Sequence, residues 1–86
     1  MTETGRVACF MLHHRHEPTE CPAVFAAWRG FASPLRHQPA LGSCLFDDHQ
    51  IWWSVEADSA DDALGRLPWY VAVRTSAIPI SEVPIP

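Results

Sequence analysis

Lysine and asparagine are both missing from this 86-residue chain. All six basic residues are arginines (Arg6, Arg15, Arg29, Arg36, Arg66 and Arg74), which excludes Schiff-base catalysis, a Lys general base and a P-loop. Cysteine is scarce: Cys9, Cys21 and Cys44 are odd in number and form no CxxC. That pattern argues against a disulfide framework and for a reducing, cytoplasmic compartment. Long apolar runs are lacking too, because the stretch from Val7 to Leu12 is too short for a signal-peptide core or a spanning helix. Positive charge is in deficit, with ten acidic against six basic residues and a net charge of −4. Neither nucleic acid nor an anionic membrane would find a basic patch to bind.

What is present is globular. The chain is 48% apolar and 19% charged, and its 9.6 kDa fit one domain over residues 1–86. Four Trp, four Phe and one Tyr are a heavy aromatic load for the length.

Arg6 to His16 reads as a strand, with Phe10, Leu12, His14 and His16 on one face and Val7, Cys9, Met11 and His13 on the other. Pro18 pushes Glu17 out of helical geometry, so Glu17–Glu20 is a break. The spacing of Val24, Phe25, Trp28, Phe31, Ala32 and Leu35 predicts one long amphipathic helix opening near Cys21-Pro22 and ended by Pro34. Leu41–Phe46 and Ile51–Ala57 are expected as two strands joined by a hairpin connection at Asp47-Asp48-His49-Gln50. Bulky residues on both faces near the start of the second of these predict a central strand covered on both sides. Ser59 with Asp61 and Asp62 predicts a capped helix start, and Trp69–Val73 a further helical turn or an irregular continuation. Ala77–Ile85 contains Pro79 and Pro84, which confines a final strand to a sheet edge.

The resulting order, β-α-β-β-α-β, predicts an α+β, ferredoxin-like fold with a four-stranded antiparallel sheet. Two helices on one sheet face leave the other open. Phe10, Leu12 and one strand tryptophan are expected there, enough apolar surface to require a second copy of the chain.

Several motifs carry a family resemblance. Trp53-Ser54-Val55-Glu56 runs into Ala57-Asp58-Ser59, followed by Ala63-Leu64 and Leu67-Pro68-Trp69-Tyr70. This half resembles the muconolactone-isomerase-like branch of the dimeric α/β-barrel superfamily. His14-Arg15-His16 and Cys21-Pro22 resemble the strand end and helix start of small uncharacterised bacterial proteins in that superfamily. The resemblance implies a ferredoxin-like subunit pairing as a dimeric α/β barrel. It transfers no reaction: no isomerase active-site set maps onto this chain, and the Asn that relatives with monooxygenase or haem-degrading activity rely on is missing.

His14 and His16 project from one strand face about 6.5 Å apart, a spacing that suits two ligands of one zinc, copper or nickel ion. Cys21 is placed to swing back as a soft third ligand, or Glu17 or Glu20 to add a carboxylate. The plainer alternative is a hydrogen-bonded polar group at the mouth of a sheet. Cys21 beside a histidine is also a candidate nucleophile or redox thiol, or simply a small residue opening the helix. Trp52, Trp53, Glu17 and Glu56 are candidate walls for a small aromatic ligand, with a dimer-interface core as the competing role for the tryptophans. His37 and His49 are expected in solvent, and Cys9, Cys44 and Trp28 in the core.

Three functions compete: a protein binding a metal or small ligand at the His14/His16/Cys21 cluster; a cofactor-free isomerase-like or monooxygenase-like enzyme acting on a small aromatic or lactone substrate, with His14 or His16 as general base; and a non-catalytic dimeric module. The first uses imidazole and thiol together and leads.

Overall fold

A computed structural model describes residues 8–86. Arg6 and Val7, where the first strand is expected to begin, lie outside the described residues. Ala8–Arg15 forms β1, whose residues alternate between buried and half-exposed. A 3-10 turn over Pro18–Glu20 leads into α1, Cys21–Ala26. Leu41–Gly42 (β2), a 3-10 turn at Cys44–Phe46 and Gln50–Ala57 (β3) follow. Ala60–Leu64 (α2), Trp69–Ala72 (α3) and Thr75–Ile80 (β4) complete the order. The molecule is α+β, with a four-stranded antiparallel open sheet in the order β2-β3-β1-β4.

Direct cross-strand partners share a face, so the register sorts the side chains. Phe10 pairs with Val55, Leu12 with Trp53 and His14 with Ile51, and all six are buried. Val24, Ala63, Leu67 and Val71 from the helical segments and the turn between them close over that face. Phe10 and Leu12 therefore form the core beneath the helices, and the expectation that they line the open face is corrected. The open face instead carries Cys9, Met11 and His13 of β1, Trp52 and Ser54 of β3, and Ile78 and Ile80 of β4. Trp52 is half-buried and Ser54 exposed, so among the described residues β3 is covered on one side rather than two.

Three predicted elements are shorter than expected, and the last of them, the strand expected over Ala77–Ile85, instead runs from Thr75 to Ile80. The helix from Cys21 is regular for six residues, after which Trp28 and Arg29 bond back three residues to Phe25 and Ala26. Gly30 then takes a left-handed φ of 74°, which ends the helix before the apolar stripe does. Phe25, off the buried side of so short a helix, is exposed. The strand expected over Leu41–Phe46 is interrupted because the Cys44–Phe46 turn curls away and Asp47 adopts a φ of 62°.

The second half follows its local signals closely. Ser59 Oγ accepts the Asp62 N–H at 3.1 Å, and the Asp62 carboxylate accepts the Asp58 N–H at 3.0 Å, so the start of α2 is capped from both sides. β4 pairs with β1 alone and forms a sheet edge, as Pro79 requires. Among the described residues no helix is long and apolar enough to cross a membrane.

Candidate metal centre

The centre is built where β1 runs out. His14 is its last buried strand residue, and His16 follows on the same side at 5% exposure. Pro18 holds Glu17 extended (φ −77°, ψ 154°), and the next residues fold into a 3-10 turn. That turn is closed twice: the Glu20 N–H donates to the Glu17 carbonyl at 2.8 Å, and the Glu17 N–H donates to Glu20 Oε1 at 2.8 Å. The chain thereby doubles back, and Cys21 Sγ lies 3.1 Å from His16 Nε2.

The other carboxylate oxygen of Glu20 accepts from Arg74 Nε at 3.0 Å and Nη2 at 2.9 Å. Arg74 also donates to the Tyr70 carbonyl at 2.9 Å and lies 3.8 Å above the Tyr70 ring. This clamp ties the turn carrying Cys21 to the α3–β4 junction. The paired guanidinium lowers the Glu20 pKa, and the carboxylate raises that of Arg74.

His49 reaches the centre from the opposite strand. The His16 N–H donates to the His49 carbonyl at 3.1 Å, extending the β1–β3 register one step past Arg15 and Gln50. His49 therefore faces the same side as His16, and its Nδ1 is 3.2 Å from Cys21 Sγ. Its loop is fixed by Ser43, whose N–H donates to the Gln50 carbonyl at 2.9 Å and whose hydroxyl donates to the Asp48 carbonyl. The donor atoms of His16, Cys21 and His49 all lie within 4.8 Å of one another.

His14 stands behind this trio. Its Nε2 is 2.9 Å from His16 Nδ1, and its Nδ1 is 3.1 Å from Thr75 Oγ1 and 3.3 Å from the Val71 carbonyl. The Thr75 hydroxyl donates its own proton to the Val71 carbonyl at 2.7 Å. Neither neighbour of His14 Nδ1 has a proton to offer, so Nδ1 is the donor. Burial, then the neighbouring His16, lowers the His14 pKa, and burial followed by His49 lowers that of His16. In neutral His14, Nε2 is an acceptor and takes the Nδ1–H of His16. His16 Nε2 then presents its lone pair to Cys21.

The sequence singles out His14, His16 and Cys21, and the structure brings all three into one chain of contacts. The third atom beside His16 and Cys21 is His49 Nδ1, while His14 lies one contact removed. Trp53 meets the His14 ring edge-on at 6.3 Å. Trp52 lies on the other face, stacked on His13 at 5.3 Å and 7°. Glu17 is exposed beside the turn, and Glu56 is exposed on the outer face opposite Cys9. All three cysteines are free thiols.

One imidazole pair and one thiol form a borderline-to-soft donor set suited to zinc or copper rather than magnesium or calcium. A tetrahedral zinc needs S···N separations of about 3.6 Å, so the observed 3.1 and 3.2 Å must open by a few tenths of an ångström. Comparisons with protein-family models, with curated proteins and with solved structures find no match to this chain.

Proposed function

We propose that this protein binds one soft or borderline metal ion, zinc or copper before nickel, through His16 Nε2, Cys21 Sγ and His49 Nδ1. The observation that carries this reading is the convergence of those three donor atoms within 4.8 Å at the end of β1. His14 acts as a positioning residue: by accepting the His16 Nδ1–H it keeps His16 Nε2 unprotonated and aimed at the site. Binding displaces the Cys21 thiol proton and needs His49 with its proton on Nε2, so metal uptake releases one proton to solvent. Three protein ligands leave a fourth tetrahedral position for water or a small ligand, the pattern of reactive rather than purely structural zinc.

The test is elemental analysis of protein purified without a His tag. Close to stoichiometric zinc or copper is expected, lost in Cys21→Ser and in His49→Ala. Cobalt substitution should give a thiolate-to-metal absorption band that disappears in Cys21→Ser. Metal-free protein that gives no such band overturns the reading.

The His16–Cys21 contact supports a second reading, metal-free proton transfer on a small aromatic or lactone substrate. His16 would then be the general base, with its lone pair oriented by His14. Turnover of a lactone or quinol that survives chelation would favour it over the first.

We further propose that the chain is a ferredoxin-like subunit of the dimeric α/β-barrel type, working as a cytoplasmic homodimer. The all-antiparallel order β2-β3-β1-β4 and the apolar outer face, free of helices among the described residues, support this assembly, and the free cysteines support the compartment.

A further inference from the structure

A cavity of about 450 Å³ lies between α1, the segment around residues 35–40 and β3. Its volume falls within the roughly 300–1,000 Å³ of small-molecule sites. Its lining combines buried Ile51 and Trp53 with exposed His37 and Gln38, so it offers both dry and wet surface. Trp28 and Trp53 meet at 6.0 Å with their planes tilted by 49°. They make an aromatic corner rather than a closed stack.

The charge of this cavity opposes that of the chain. Acidic residues outnumber arginines ten to six overall, yet the lining contains Arg36 and no carboxylate. Arg36 is half-buried and forms no ion pair among the described residues.

The rim is also preset. The Ser33 hydroxyl donates to the Arg66 carbonyl at 2.6 Å and accepts the Leu35 N–H at 3.1 Å, anchoring this segment to the turn after α2. His37 is held at a φ of 67°, a conformation that costs a residue with a side chain and persists where its surroundings enforce it.

We infer that this cavity binds a small planar aromatic carboxylate, its ring packed into the Trp28–Trp53 corner and its carboxylate paired with Arg36. The buried apolar residues and the aromatic corner select a flat hydrophobic body, and the acid-free lining with one guanidinium selects an anionic head. His16, Cys21 and His49 do not line the cavity, so the inference stands whether or not a metal binds at that centre.

The probes are 2-naphthoate and its neutral isostere 2-naphthamide, titrated into chelator-treated protein and followed through the indole N–H signals of the four tryptophans. Saturable shifts at Trp28 and Trp53, with Trp69 unmoved, are expected for naphthoate. Arg36→Gln, a change at a half-buried loop position, should weaken naphthoate by about tenfold or more and leave naphthamide unchanged. Cys21→Ser, which removes a proposed metal ligand, should bind naphthoate like the unaltered chain. Absence of saturation, shifts confined to Trp69, equal naphthoate affinity in Arg36→Gln, or loss of binding in Cys21→Ser would each overturn the inference.

Discussion

His14 Nε2 accepts the Nδ1–H of His16 across 2.9 Å, and this contact decides what His16 presents to its other neighbours. A neutral imidazole carries one N–H and one lone pair. His14 spends its own N–H on Thr75 and the Val71 carbonyl, so its remaining nitrogen accepts. His16 must then put its proton on Nδ1, and its Nε2 lone pair faces Cys21 at 3.1 Å. A buried backbone carbonyl at the end of α3 thereby sets the tautomer of a ring beside the thiol.

Replacing His14 by Phe keeps a ring in the core and removes the acceptor. Metal affinity should fall about 10- to 100-fold, the usual effect of losing an outer-shell partner, whereas His16→Ala should abolish binding. Competition titration with a chromophoric chelator measures both. Undiminished affinity in His14→Phe would refute the positioning role, and complete loss in a folded variant would make His14 a ligand instead.

The lowered pKa values of His14 and His16 give the metal-free protein a definite acid response. In the unfolded chain both rings titrate at the ordinary value of about 6.5. As pH falls below that, the unfolded state takes up protons that the folded state resists, so stability declines. The contribution is complete above the unfolded pKa and is lost progressively until pH has passed through the lowered folded values. Glu20, also depressed, adds its own loss at lower pH, beneath the ordinary carboxylate value. Urea midpoints measured from pH 7.5 down to 4 should fall with pH from just below 6.5, and His14→Phe should flatten the upper part of that slope. A midpoint constant across pH 5–7 would contradict the assignment of neutral, buried imidazoles.

Leu12, fully buried opposite Trp53, belongs to the core under the helices. Leu12→Ala should cost about 2–5 kcal/mol by cavity formation, against about 0.5 kcal/mol or less for Ser54→Ala on the exposed side of β3. Denaturant unfolding followed by tryptophan fluorescence compares the two. Similar losses would mean that the helix-covered face is not the principal core.

How far the sequence discloses this arrangement depends on which signals are local. The alternation in β1, the cap at Ser59 and the edge placement forced by Pro79 need only neighbours in the chain, and all are visible in the residues. His14, His16 and Cys21 are legible for the same reason, since strand period and a Pro-led turn bring them together. His49 is not. It enters the site because β1 and β3 pair with Arg15 opposite Gln50, which sets His49 across from His16. A one-residue slip in that register would turn it to the other face. Register depends on the whole sheet, and a histidine in a turn reads as solvent-exposed without it. The face taken by Phe10 and Leu12 depends on the same non-local information, because alternation shows that they share a face and not which face the helices cover. The early end of α1 has a local cause, Gly30, but the apolar spacing continuing to Leu35 masks it.

The proposed homodimer makes a prediction about the outer sheet face. Trp52, stacked on His13, sits there with Met11, Ile78 and Ile80, and Leu41 is 73% exposed at the margin. Contiguous apolar surface of this kind is uncommon on monomers. Edge-to-edge pairing is disfavoured at both sides of the sheet, since β2 has only two residues and β4 loses a backbone donor at Pro79. Face-to-face packing about a two-fold axis remains, and it would bury the same residues from each copy. Sedimentation at micromolar concentration should therefore report a dimer for the unaltered chain and a monomer for Trp52→Glu combined with Ile78→Glu, with unchanged far-ultraviolet circular dichroism. Leu45→Glu, which alters a residue 94% exposed outside the sheet, serves as the control and should remain dimeric. A monomeric unaltered chain, or a double variant that still dimerises, would place the apolar outer face outside any self-association.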